Sequence, residues 1–167
     1  MKTLTRTLLA LLALAALLLA AGQAGLLQGR PPGDLGVHDG KLKPPSPMPN
    51  SVSSQAALWP GHPQQAAAQI APLALSPAGD GPATIARLKG VVAALPGARV
   101  VESRPDYLYA QFTTKWMHFI DDVEFWFDPA AGAIQVRSAS RLGSEDMNVN
   151  RERVETIRQR LAVGAAP

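Results

Sequence analysis

Cysteine is absent from all 167 residues. That excludes disulfides, thiol catalysis, iron–sulfur clusters and cysteine-ligated zinc, so the fold must hold by packing alone. It also excludes a lipoprotein signal. Concentrated positive charge is missing too. Arg151, Arg153, Arg158 and Arg160 come nearest to a basic patch, but Glu152 and Glu155 are interleaved with them, which argues against nucleic-acid binding. A G-x-S-x-G nucleophile elbow is lacking, and no internal repeat is present. The unbroken apolar run, Leu8 to Gly22, falls short of the roughly 18–20 residues that span a bilayer.

That run follows a basic start at Lys2 and Arg6 and leads into small residues, with Gly22 and Ala24 in the small-x-small pattern a signal peptidase reads. Residues 1–24 are therefore read as a cleaved secretory signal, an uncleaved membrane anchor being the alternative. Without Lys2 and Arg6 the chain keeps 14 basic residues against 13 acids and is nearly neutral.

Residues 25–66 are punctuated by proline: "GRPPGDLG", "KLKPPSPMPNSVSS" and "LWPGHP". Proline removes a backbone donor and fixes φ, so neither a helix nor a central strand runs through such segments. They are a flexible linker or an extended arm lying on the domain, anchored by Leu42, Val52 and Trp59. A tryptophan favours the arm.

The folded core is expected from Ala67 to Val163. "DGPATIARLKGVVAALPGARV" reads as a helix, with Pro82 in its first turn and Pro96-Gly97 ending it. Ile85, Leu88, Val92 and Leu95 give it one apolar stripe, and Gly90 permits close packing. Four strands follow: Arg99–Ser103, Tyr107–Thr114, Asp122–Asp128 and, after the turn "DPAAG", Ile134–Ser140. Side chains directly opposite in an antiparallel pair share a face. Pairing Phe125 with Val136 and Phe127 with Ile134 keeps the apolar set together, and puts Glu124 opposite Arg137 and Trp126 opposite Gln135. "NVNRERVETIRQRLAVG" is a second helix, buried along Val154, Ile157 and Leu161, capped by Asp146 or Asn148 and stopped by Gly164. The fold predicted is α+β: a four-stranded antiparallel sheet with both helices on one face.

The blocks "PNSVSSQA", "FIDDVEFWFDPAAGAIQVRSASRLG" and "NVNRERVETIRQRL" resemble the bacterial and plastid family called domain of unknown function 1499, over roughly Leu35 to Leu161. The resemblance implies no particular activity. It implies export, because members often carry signal or membrane-anchoring N-termini. The family's first motif has a cysteine where this chain has Ser51, so any nucleophilic or metal-binding role of that cysteine is lost or weakened here.

Several clusters bear on function. Asp121, Asp122 and Glu124, with His118 nearby, are the raw material for a hard-metal site or acid–base pair. Yet Asp121 and Asp122 point to opposite faces of a strand, and Arg137 already faces Glu124 as an ordinary cross-strand pair. Ser51, Ser53, Ser54, Ser138 and Ser140 are more simply polar strand positions than parts of a triad. Arg137, Arg141, Asp146, Asn150, Arg151 and Arg153 gather round a strand end and a helix start, where an anion would sit or where helix caps and ion pairs would use them. Trp116 to Ile120 interrupt the alternation and read as core packing ahead of a membrane-touching lip.

The second sheet face is the candidate binding surface, because it combines Tyr, Trp and Arg. Its residues, with the adjoining strand-end group, are Tyr107, Tyr109, Gln111, Asp122, Glu124, Trp126, Arg137, Arg141, Asn150 and Arg151; Gln135 shares the face. The arm is its simplest occupant. The sequence thus describes an exported, periplasmic or cell-envelope domain, acting as a non-catalytic binding or accessory module for a small ligand or envelope protein. No catalytic residue, cofactor or metal is assigned. The alternatives are a hydrolase or metal-dependent enzyme using Asp122, Glu124 and His118, and a structural subunit of an envelope complex.

Overall fold

A computed structural model describes residues 2–75 and 80–163. The N-terminal apolar segment is one helix, α1 (Lys2–Gln23), which extends the apolar run at both ends to 22 residues. It is long and apolar enough to cross a membrane, as a signal sequence near an N-terminus also is. The other helices are α2 (Gly81–Ala93) and α3 (Val149–Val163). Helix α2 starts on Asp80, whose side chain accepts from the Ala83 N–H, with Pro82 in the first turn. Ahead of helix α3, the Asp146 Oδ2 accepts from the Asn150 N–H of its first turn at 2.9 Å. Gly164, expected to stop α3, lies outside the described residues.

The sheet has five antiparallel strands, not the four expected: β1 (Ser51–Ser53), β2 (Ala98–Ser103), β3 (Tyr107–Thr113), β4 (Ile120–Asp128) and β5 (Ala133–Ser140), in the order β1-β5-β4-β3-β2. The extra strand is only three residues long and lies at an edge, where the nearby prolines do no harm. Strands β2 to β5 form a meander. In the β4–β5 pair, Phe125 faces Val136, Phe127 faces Ile134, Glu124 faces Arg137 and Trp126 faces Gln135, as the apolar matching requires.

One face carries the main core. Leu108, Val123, Phe125, Ile134 and Val136 pack against Ile85, Leu88 and Val92 of α2 and Val154, Ile157 and Leu161 of α3. Each such buried side chain contributes about 1.5–3 kcal/mol. Gly90 does not serve close packing: it is exposed, with open space where a Cβ would stand. Gly81 is the glycine that packing requires, since a Cβ there would meet the Phe127 ring at 2.3 Å. The interleaved arginines of α3 have a structural use. Arg151 donates to the carbonyls of Ala67 and Gln69, and Arg158 to those of Ala71 and Pro72. Together they fasten the chain 67–72 beside the sheet.

Candidate functional site

Alternation along β3, β4 and β5 sends a second set of side chains to the face away from the helices. Tyr107, Tyr109, Gln111, Asp122, Glu124 and Arg137 are all buried there, and Trp126 is half-buried. What buries them is the proline-rich arm. Asp39 and Gly40 both have positive φ, the conformation of a tight I′ turn, and the His38 and Lys41 backbones exchange hydrogen bonds across it. This reversal lays Leu35, Val37 and Leu42 against Tyr107, Tyr109 and Trp126 as a second apolar cluster. Gln55 holds the turn in place: its Oε1 accepts from the Leu42 N–H at 2.8 Å and its Nε2 donates to the Gly40 carbonyl at 3.0 Å.

The polar groups beneath the arm form two ion centres. Arg141 grips Asp122 through two hydrogen bonds of 2.7 and 2.8 Å, and Tyr109 donates to the same carboxylate at 2.5 Å. Gln111 extends this centre by donating to the Tyr109 hydroxyl at 2.8 Å, and takes a bond from Arg99. Donating to the Asp122 carboxylate raises the Arg141 guanidinium above its ordinary value.

The second centre is looser. Glu124 Oε1 accepts from the Tyr107 hydroxyl at 2.8 Å and the Gly36 N–H at 2.7 Å. Among the described residues Glu124 Oε2 has no hydrogen-bond partner, and Arg137 Nη1 stands 3.9 Å from it. Burial pushes the Glu124 carboxyl up and the Arg137 guanidinium down, each against the pull of its neighbour's charge. Burial and the Glu124 charge together push the Tyr107 phenol up.

Arg137 is only 5% exposed. Among the described residues its one side-chain hydrogen bond is from Nε to the Pro44 carbonyl, at 2.9 Å. It lines a cleft of about 550 Å³ between the arm and the end of the sheet, with Arg30, Lys43, Asp122 and Arg141 around it and Pro31, Pro32, Pro44, Pro45 and Pro47 as rigid walls. Lys43 is paired with Asp34 at 2.6 Å, which holds the Asp34 carboxyl below its usual range.

Other residues singled out in the sequence lie elsewhere. Asn150 is on the helix side, where it donates to the Asn50 carbonyl and Asp146, and accepts from Ser138 and Arg153. Asp121 shares that side, paired with Arg153. Arg151 clasps Ala67 and Gln69, as described. His118 sits in the β3–β4 connection with φ of 52°, and among the described residues it makes no side-chain hydrogen bond to Asp122 or Glu124. The described residues contain no group of three or more His, Cys, Asp or Glu placed to hold a metal ion. Ser51 is buried in β1 and accepts from the Ser46 N–H at 2.8 Å, which fastens the arm's far end.

The connection after β3 departs from expectation. Its apolar sequence reads as core, but Trp116 is 64% exposed and Phe119 is exposed as well; of residues 116–120 only Ile120 is buried. Sequence reasoning also missed Gly36, Lys43, Pro44 and Gln55. Gly36 and Pro44 act through backbone atoms, and Lys43 and Gln55 as arm side chains with no motif; only Leu42 carried a hydrophobic signal for the contact.

A family model described as a protein of unknown function (DUF1499) matches residues 41–161, and the chain belongs to that family. No curated protein and no solved structure matches the chain.

Proposed function

We propose that this family member is an exported protein of the cell envelope, held at the membrane by α1, that works as a non-catalytic binding module for a small anionic ligand. The site is the cleft between the arm and the sheet end. It keeps Asp122, Arg137 and Arg141 from the residues singled out in the sequence and adds Arg30 and Lys43. Tyr107, Tyr109 and Trp126 support it from beneath the arm.

The observation that carries this reading is Arg137. A buried guanidinium normally spends its donors on partners. Here the Nη groups hydrogen-bond to no described residue, the nearest carboxylate oxygen is 3.9 Å off, and the side chain lines a cleft. A carboxylate or phosphate entering that cleft would meet a planar fork ready for paired hydrogen bonds. Arg30 and Lys43 also line the cleft, Lys43 paired with Asp34 at its exposed side, while Asp122 and Arg141 are committed to each other. Export is supported by the apolar α1.

Calorimetric titration of the full chain in mild detergent with inorganic phosphate and with succinate tests the reading. Saturable binding of one anion is expected, weakened at least about tenfold in Arg30→Ala/Lys43→Ala, whose changes lie at the rim and leave the buried centres intact. A folded protein that binds neither anion, or binds one equally well in the double variant, sinks the proposal.

A further inference from the structure

The geometry points to a bilayer-docking lip on this domain, formed by the β3–β4 connection and the loop before α3 and aligned by α1. This inference rests on reading α1 as a membrane anchor.

Helix α1 is about 33 Å long at 1.5 Å per residue, matching a hydrocarbon core of roughly 30 Å. None of its most apolar window is buried against the protein. Its C-terminal end is seated on the domain. Gly22 is buried so closely against Met117 that a Cβ would come within 2.6 Å of the Met117 carbonyl oxygen. Gln23 Nε2 donates to the Trp116 carbonyl at 2.7 Å. Gly29, a few residues on, lies against Arg141 and Leu142. The place where α1 ends is therefore the place where these two loops begin, so both lie at the depth where the chain leaves the hydrocarbon.

The side chains there suit that depth. Trp116, Phe119, Leu142, Met147 and Val149 are exposed, Met147 at 84%. Most of them line a shallow, largely apolar groove of about 460 Å³. Exposed aromatic and aliphatic side chains clustered in this way mark a docking surface. Lys115 Nζ stands 5.1 Å from the centre of the Trp116 ring, and tryptophan beside lysine is the pairing favoured at a membrane–water interface. An apolar groove continuous with a membrane helix is covered by lipid rather than by a soluble partner. The cleft holding Arg141 adjoins this lip, so docking turns its mouth toward the headgroup layer.

The absence of cysteine makes the test direct. Single variants Leu12→Cys, Leu142→Cys, Met147→Cys and Ala131→Cys of the full chain are labelled with an environment-sensitive fluorophore and placed in nanodiscs of phosphatidylcholine and phosphatidylglycerol with brominated acyl chains. Ala131 sits on the β4–β5 turn, at the opposite end of β4 from the lip. The expected result is loss of emission to brominated lipid at residues 12, 142 and 147, with residue 131 quenched only by aqueous iodide. Labels at 142 and 147 that behave like 131, while 12 is quenched by lipid, overturn the lip and leave the anchor standing. A label at 12 open to iodide overturns the anchor and the lip with it. Trp116→Ser added to the Leu142→Cys variant is expected to return iodide access to that label; unchanged shielding would count against the lip.

Discussion

The Gly36 N–H and Glu124 Oε1 meet at 2.7 Å across 88 positions of sequence. This bond ties the arm to a carboxylate that is otherwise wholly enclosed, and it leaves Oε2 as the unsatisfied atom of the pair. The two donors on Oε1 favour the charged carboxylate, but burial outweighs them, so the Glu124 carboxyl keeps a proton more readily than usual.

Burial raises the Glu124 carboxyl in the folded state above its ordinary value of 4.5. Through the window above that value the folded chain binds more protons than the unfolded one, so stability from this group falls as pH rises. Glu124→Gln removes the titration. Urea unfolding of both proteins from pH 4 to pH 8 should show wild type losing stability relative to the variant with increasing pH; parallel curves would refute it.

The arm is an integral part of the packing. Leu42 is 1% exposed beneath the tight turn, so Leu42→Ala should cost about 2–5 kcal/mol in equilibrium unfolding. Leu58→Ala, at an exposed position, should stay within about 0.5 kcal/mol. Equal, small effects would mean that the arm only rests on the sheet.

The two ion centres should couple with different strength. Asp122 and Arg141 are joined by two short bonds, whereas Glu124 and Arg137 stand 3.9 Å apart. Removing either member of the first pair should cost about 3–5 kcal/mol, because the other is left buried and uncompensated. Double-mutant cycles should put that pair toward the upper end of the roughly 0.5–3 kcal/mol range for neighbouring residues, and Glu124–Arg137 toward the lower end. The reverse ranking would undo this account of the face.

Two glycines of α2 should answer oppositely to alanine. At Gly90 there is open space, so Gly90→Ala should raise stability by about 0.4–1 kcal/mol. At Gly81 the new methyl would enter the Phe127 ring, and Gly81→Ala should cost about 1–3 kcal/mol. Thermal melts of the two variants settle the contrast.

Much of this architecture could be read from residues that obey a period. Phe125, Phe127, Ile134 and Val136 specify the hairpin register because any slip mixes its faces, and the same alternation separates Asp121 from Asp122. The stripe of Ile85, Leu88 and Val92 already turns Gly90 outward, so its exposure was implicit. Strand β1 was hidden, since a single valine between two serines is too short a stretch for alternation to be read, and only pairing with β5 makes it a strand. The arm was readable as an occupant through Leu42, but its grip on the sheet was not. Gly36 N–H and the Pro44 carbonyl are backbone groups without a side-chain signature. Trp116 misled for the opposite reason: an aromatic inside an apolar run suggests core, but here it is exposed beside the end of α1.

The 88 positions between Gly36 and Glu124 also set an order in time. A ribosome adding 5–20 residues per second leaves the newly made arm waiting roughly 4–18 s for its carboxylate to appear. During that interval the arm cannot settle into a helix or a central strand, because its prolines forbid both. The segment made first among those on the second face is thus the one that waits longest for its partners, and its own composition keeps its backbone groups available until they arrive.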